Sequence, residues 1–117
     1  MTYIDSLFSL KSKTAAIIGG GGVLAGAQAE GLAKAGANVA ILDLNLENAQ
    51  KMAAKVAEYG VKSLAIQVDV SNKDNIQAAC DKMVQEWGKV DILINAPGIN
   101  SATPFFEIEE SEWNKIL

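Results

Sequence analysis

The fold of this chain is decided by residues 13–36, which read Lys-Thr-Ala-Ala-Ile-Ile-Gly-Gly-Gly-Gly-Val-Leu-Ala-Gly-Ala-Gln-Ala-Glu-Gly-Leu-Ala-Lys-Ala-Gly. A short apolar run enters four consecutive glycines. An Ala-rich segment follows, with small or apolar residues at the spacing of one helix face: Leu24, Ala27, Gly31, Leu32 and Ala35. Strand, glycine turn and helix form the context of a G-x-G-x-x-G/A fingerprint, which Gly20, Gly22 and Ala25 satisfy. The stretch therefore predicts a dinucleotide-binding turn.

Glycine suits such a turn for two physical reasons. A tight turn needs backbone angles that residues with a Cβ avoid, and a pyrophosphate reaches backbone amides only where no side chain intervenes. The following helix directs its free N–H groups and the positive end of its dipole at the anion. The alternative is a glycine-rich turn that only joins a strand to a helix.

Length and composition restrict the class of protein. The 117 residues predict one domain over 1–117, and a net charge of −4 argues against nucleic acid and anionic membranes as partners. The first ten residues do not resemble a signal peptide, and no apolar run is long enough to cross a bilayer, so we expect a cytoplasmic, soluble protein. A single cysteine, Cys80, and the absence of histidine argue against an internal disulfide and a metal site.

Strand and helix patterns alternate along the chain. Predicted strands cover 14–18, 38–42, 62–68 and 90–95, and the first helix covers 23–35. Asn45 is the expected N-cap of the second helix, Ser71 with Asp74 is the expected capping box of the third, and a last helix starts near 109–111. Cys80 is predicted on the buried face of the third helix, and the leader 1–12 is expected to pack through Leu7, Phe8 and Leu10. This order predicts an α/β, three-layer, doubly wound parallel sheet of Rossmann type with strand order 3-2-1-4.

The carboxyl ends of the predicted strands carry the candidate binding residues. Asp43 follows the second strand, where a carboxylate accepts hydrogen bonds from the ribose of NAD, and residues 44–46 offer no arginine for the phosphate of NADP. NAD is therefore favoured over NADP. The alternative interpretation of Asp43 is a solvated loop acid or a carboxylate at the start of a helix, with no role in binding. Asp69 and Val70 follow the third strand and can offer adenine an acceptor and an apolar wall, unless they only form a turn before Ser71.

In this order of motifs the chain resembles the short-chain dehydrogenase/reductase family. Gly19 matches the first glycine of the family turn T-G-x-x-x-G-x-G, Asp69-Val70 matches its adenine pair, and Asn95 and Gly98 match the ends of its N-N-A-G segment. The departures from the family pattern are Ile18, Val23, Ala25, Ala96 and Pro97. The resemblance and the strand ends together imply this cofactor-binding set: Gly19, Gly20, Gly21, Gly22, Val23, Leu24, Asp43, Asp69, Val70, Asn95, Ala96 and Gly98. The glycine run also resembles a sugar-acid subset of the family, of the mannonate oxidoreductase kind.

The family's catalytic Ser, Tyr-x-x-x-Lys and Asn lie further along the family sequence than the position of Trp113. Tyr59 and Lys62 are predicted surface residues, at a helix end and the start of an outer strand, and Tyr3 lies in the leader. We therefore assign no catalytic residue and expect the NAD-binding half of a short-chain dehydrogenase, not catalytic by itself. One alternative is an interaction module that kept the scaffold and lost the cofactor. Another is that a second polypeptide completes the enzyme.

The resemblance also predicts self-association. Strand 90–95 is central in the complete family fold but would be a sheet edge here, and an apolar edge invites pairing with another chain. We expect a homo-oligomer formed through this strand or through uncovered helix faces.

Overall fold

A computed structural model of the chain describes residues 2–96 and 103–116. These residues contain strands that alternate with helices, in the order α1 (Tyr3–Phe8), β1 (Thr14–Ile18), α2 (Val23–Lys34), β2 (Asn38–Asp43), α3 (Leu46–Ala57), β3 (Ser63–Gln67), α4 (Lys73–Trp87), β4 (Ile92–Asn95), a 3₁₀ turn (Phe105–Glu107) and α5 (Glu110–Ile116). All strand pairs are parallel and the sheet order is β3-β2-β1-β4. The predicted doubly wound fold and its strand order are confirmed.

The sheet has a separate apolar core on each face, because successive side chains of a strand point to opposite sides. Ile17 and Ile41 are fully buried on one face with small residues of α2 and α3. Ala40 and Leu42 are buried on the other face, against Met83 of α4. Helices therefore cover both faces, which gives the three predicted layers.

Local signals set most helix ends. Gly36, Gly60 and Gly88 have positive φ angles of 107°, 82° and 78°, in the left-handed region where glycine follows a helix. The side chain of Asn45 accepts a hydrogen bond from the amide of Asn48 at 3.1 Å, as predicted for the N-cap of α3.

The predicted start of α4 is wrong. Its N-cap is Asn72, whose side chain accepts a hydrogen bond from the amide of Asn75 at 3.1 Å. The hydroxyl of Ser71 instead donates to Asp69 Oδ1 at 2.6 Å. Because that bond holds Ser71 in the preceding turn, the helix begins one residue later.

Two expectations about packing also need correction. Cys80 is exposed, because Met83 and Ala79 take the positions of α4 that face the sheet. The leader contains a short helix, α1, that the sequence did not predict, and Phe8 at its end is 73% exposed. Leu7 is exposed as well, and only Leu10 packs against the core as expected. Within 2–96 and 103–116, no helix combines the length and apolar character that crossing a membrane requires.

Candidate functional site

The carboxyl ends of the four parallel strands meet at one edge of the sheet. In the register of the sheet, Ile18 lies opposite Leu42 on one side and Asn95 on the other, and Asp43 lies opposite Gln67. The segments that follow these strands therefore start side by side. In doubly wound sheets this edge is where ligands bind.

The glycine turn is tied to the end of β2 by its own backbone. The amides of Gly19 and Gly20 both donate to the carbonyl of Leu42, at 2.7 and 3.3 Å. The amide of Gly21 donates to Asp43 Oδ2 at 3.0 Å. Gly19 has a φ of 81°, which favours glycine at this position. These three amides are directed at β2, so an anion at this edge would meet the next residues of the turn.

Those next residues form the open N-terminus of α2. Gly22 is its N-cap and provides no side-chain hydrogen bond, while the amide of Gly26 already donates to the Gly22 carbonyl at 2.8 Å. The first amides of an α-helix have no intrahelical acceptor. Val23 and Leu24, which carry two of these amides, are 95% and 76% exposed. A helix of twelve residues with such an N-terminus is suited to binding phosphate.

Steric crowding explains why residues 20 and 21 are glycines. A Cβ added to Gly20 would lie 2.9 Å from Ile41 Cγ2, and one added to Gly21 would lie 2.7 Å from Asp43 Oδ2. Among the described residues apart from its chain neighbours, a Cβ on Gly22 would contact the Gly19 carbonyl oxygen alone, at 3.4 Å. The turn therefore lies close against β2, and the described residues leave space beside it on the side of Gly22. That geometry fits the approach of a pyrophosphate to the start of α2.

Asp43 lies next to the glycine turn at this edge of the sheet. Its Oδ2 accepts from Gly21, and its Oδ1 accepts from the amide of Asn45 at 3.0 Å. A carboxylate accepts about four hydrogen bonds, so about two acceptor positions remain. The start of α3 directly after Asn45 adds a favourable dipole for the negative charge. The side chain is thus fixed by two backbone hydrogen bonds and can accept further hydrogen bonds from hydroxyl groups.

The loop after β3 is ordered by side chains. The amide of Asp69 donates to Asn75 Oδ1 at 2.7 Å, and Asp69 Oδ1 accepts from both the hydroxyl and the amide of Ser71. The hydroxyl bond, followed by the amide bond, lowers the pKa of the Asp69 carboxyl below its ordinary value. Val70 beside it is exposed. Asn75 was not predicted at this edge, although its spacing from Asn72 is a recognisable helix-start signal.

The end of β4 lies at the same edge. Asn95 is exposed at the end of the strand, and the amide of Ala96 donates to the Ile18 carbonyl at 3.0 Å. Gly98, the last residue of the predicted set, lies outside the described residues, as does Pro97.

Tyr59 does not lie at this edge. Tyr59 precedes β3 and therefore lies toward the opposite edge, where its hydroxyl donates to Glu30 Oε1 at 3.0 Å. That hydrogen bond raises the pKa of Tyr59 above its ordinary value, which disfavours the ionised form of its hydroxyl. Across 2–96 and 103–116, no three His, Cys, Asp or Glu side chains are grouped so that they could hold a metal ion.

The fold and the edge define a Rossmann-type protein with a glycine turn at its first strand. Comparison with known proteins agrees, since the sequence profile described as short chain dehydrogenase matches residues 13–117. The chain belongs to the short-chain dehydrogenase family, whose members bind dinucleotide cofactors.

Individual relatives give the same result. The chain is 33% identical over 114 residues to a 5-keto-D-gluconate 5-reductase of Escherichia coli (strain K12), covering 97% of this chain and 45% of the relative. A solved short-chain type dehydrogenase/reductase from Mycobacterium marinum superposes with a TM-score of 0.91 at 32% identity, over 99% of this chain and 47% of that one. A solved NAD⁺-bound xylitol dehydrogenase superposes with a TM-score of 0.87 at 30% identity, over 91% and 41%. The chain thus spans about half the length of these relatives and corresponds to the amino-terminal part of the family.

Proposed function

We propose that residues 1–117 form a single NAD-binding domain of a short-chain dehydrogenase-type oxidoreductase. The observation that carries the proposal is the pairing of an uncapped helix, whose first residues are Val23 and Leu24, with the fixed carboxylate of Asp43 on the adjacent strand. The helix start would hold the pyrophosphate. Asp43 would accept hydrogen bonds from the adenine ribose. NAD, when bound, supplies the nicotinamide that accepts or returns a hydride.

The remaining predicted residues would complete the site. The ordered loop at Asp69 and Val70 offers an acceptor and an exposed apolar surface on which adenine can lie. Asn95 and Ala96 at the end of β4 would border the cofactor on the other side of the glycine turn. Val23 is the least favourable member, because its β-branched side chain stands beside the path of the pyrophosphate.

Asp43 also supports NAD over NADP. A carboxylate held in place by two backbone amides repels a ribose 2′-phosphate, and residues 44–46 contain no arginine or lysine that would attract one.

Isothermal titration calorimetry of the full chain with NAD and NADP tests this proposal. We expect binding of NAD that is lost or at least about tenfold weaker in Asp43→Ala, as for the loss of hydrogen bonds to a charged group. Asp81→Ala is the matched control, because this carboxylate lies on α4 and accepts only from the Gln77 side chain in the described contacts. Absence of heat with millimolar NAD would contradict the proposal.

The substrate class suggested by the resemblance is a sugar acid or its keto form. The glycine run favours it, and the Escherichia coli relative is named for 5-keto-D-gluconate. We propose that this chain does not catalyse hydride transfer alone, because it offers no counterpart of the family's Ser and Tyr-x-x-x-Lys. Hydride transfer should be assayed for the chain alone and for the chain co-expressed with the carboxyl-terminal half of a family member. Activity only in the co-expressed sample would show that a second polypeptide can complete the enzyme. Turnover by this chain alone would contradict the assignment.

A second candidate function is an interaction module that assembles through β4. Among the described residues β4 is paired only with β1, and Leu93 on this edge strand is 62% exposed. Unpaired strand edges associate with other strands, so we propose a homo-oligomer. Sedimentation velocity over a range of concentrations should reveal association that Leu93→Lys weakens. A monomer at every concentration would contradict the proposed homo-oligomer. Oligomers that do not bind NAD would favour the interaction module. The cytoplasmic location stays a prediction.

A further inference from the structure

Gly21 lies where the glycine turn approaches both β2 and α3. Its amide donates to Asp43 Oδ2 at 3.0 Å. A Cβ added to it would lie 2.7 Å from that same oxygen and 2.8 Å from the Cβ of Asn48. Real Cβ atoms do not approach other atoms this closely, so a side chain at residue 21 must displace something. The contact with Asp43 can be relieved by rotation of its side chain, whereas the contact with the Asn48 Cβ requires a small shift of the turn or of helix α3.

The position of the Asp43 carboxylate depends on this contact. One oxygen is held by Gly21 and the other by Asn45, so the two hydrogen bonds fix the plane of the group. About two of its four acceptor positions remain, and the vicinal 2′- and 3′-hydroxyls of a ribose are two donors. A carboxylate pushed away from Gly21 would lose one backbone bond and present these acceptors in a different direction.

We propose that Gly21 is a specificity-determining residue: by leaving room for the Asp43 carboxylate and binding it, Gly21 sets the preference for an unphosphorylated ribose. This inference rests on the proposed binding of NAD. It gives Gly21 a role different from that of Gly22, which faces the open side of the turn. Discrimination at the ribose is then a property of two residues, one of which has no side chain.

The test compares the ratio of the NADP and NAD dissociation constants in the full chain, in Gly21→Ala and in Gly31→Ala. We expect Gly21→Ala to lower this ratio at least about tenfold, as for loss of one hydrogen bond to a charged group. A general distortion of the turn would weaken both dinucleotides alike, because they share the pyrophosphate, and would leave the ratio unchanged. Gly31→Ala should bind as the unmodified chain does, since a Cβ there contacts no described residue outside its own turn of helix within 4 Å.

A double-mutant cycle completes the test. In an Asp43→Ala background, Gly21→Ala should leave the ratio unchanged, because the carboxylate on which it acts is gone. An unchanged ratio in the single variant, or an equal further drop in the Asp43→Ala background, would overturn the inference while leaving NAD binding in place. Failure of the unmodified chain to bind NAD would instead overturn the proposed function and this inference with it.

If Gly21→Ala does not fold, Asp43→Asn tests the same contact without added volume. The asparagine amide group can accept from only one of the two backbone donors, so we expect the Gly21 amide proton to exchange about tenfold faster with solvent if that bond is lost. Gly19, whose amide bonds the Leu42 carbonyl, is the internal reference. Faster exchange of the Gly21 amide with the NAD preference unchanged would refute the role of this hydrogen bond.

Discussion

Gly20→Ala is predicted to destabilise the fold rather than to act only on a ligand. The added Cβ would lie 2.9 Å from Ile41 Cγ2 and 3.1 Å from the carbonyl oxygen of Ile17. Ile41 and Ile17 are fully buried in the same core cluster, and the contacted methyl is attached directly to the Ile41 Cβ, so it cannot rotate away freely. Overpacking of this kind costs about 1–3 kcal/mol.

Replacing a glycine also has a favourable component, which must be subtracted. Alanine restricts the unfolded chain and stabilises the folded state by about 0.4–1 kcal/mol where the backbone conformation permits it. Gly20 does not have a positive φ, so this gain applies. The net expectation for Gly20→Ala is a loss of about 1–2 kcal/mol of unfolding free energy.

Gly31→Ala provides the matched control, because it makes the same chemical change inside α2. Apart from its neighbours in the chain and its own helix backbone, no atom of the described residues lies within 4 Å of its added Cβ. Alanine in a helix interior is favoured over glycine by about 0.5–1 kcal/mol. The two variants should therefore shift stability in opposite directions. The difference between them is expected to be about 2 kcal/mol.

Urea unfolding followed by far-UV circular dichroism measures both variants. It should be performed at several protein concentrations, so that any self-association is separated from folding. A Gly20→Ala stability within about 0.5 kcal/mol of the unmodified chain, combined with lost NAD binding, would refute the packing argument. Gly20 would then be required for the approach of a ligand.

Two further predictions concern the start of α4 and the edge opposite the candidate site. Asn72→Ala should lower the unfolding free energy by about 1 kcal/mol, because it removes the side-chain acceptor of the Asn75 amide. In the same urea experiment Ser71→Ala should lower it less. Equal losses in the two variants would contradict the assignment of Asn72 as the N-cap. The pKa of the Asp91 carboxyl is lowered, first by the hydrogen bond from the Thr14 amide at 2.8 Å, so its stabilisation is present above the ordinary value of 3.8 and is lost as the pH falls through the lower folded value. Asp91→Asn should therefore flatten the acid side of the stability profile between about pH 4 and pH 2, and an acid side as steep as that of the unmodified chain would contradict this.

The order of elements and the sheet topology could be predicted because their signals are local and repeated. Apolar runs alternate with helix-spaced patterns, and glycines with positive φ follow α2, α3 and α4. Four strands joined by helical crossovers leave few arrangements, of which 3-2-1-4 is the doubly wound one. The start of α4 could not be predicted to the residue, because Ser71 and Asn72 are both favourable N-cap residues. The choice between them depends on Asp69, which binds the Ser71 hydroxyl.

Burial along α4 could not be predicted from periodicity alone. A helix that packs on a sheet buries only a narrow stripe, and here that stripe is Ala79 and Met83. Ile76, Cys80 and Val84 have the right spacing for the same face but lie at its margins, and they are exposed in the described part of the chain. A single sequence does not state how much of an apolar helix face its neighbours cover.

The glycine turn shows the same limit at the candidate site. The sequence pattern predicts that all four glycines bind the cofactor, because binding of a phosphate group is the best-known reason for such a run. Yet the amides of Gly19, Gly20 and Gly21 are directed at β2, and steric crowding by β2 and α3 is sufficient to require glycine at two of these positions. Packing within the fold can therefore explain glycines of such a motif without any bound ligand. For this reason the amides at the start of α2 and the carboxylate of Asp43, rather than the glycine run itself, are where cofactor binding should be tested.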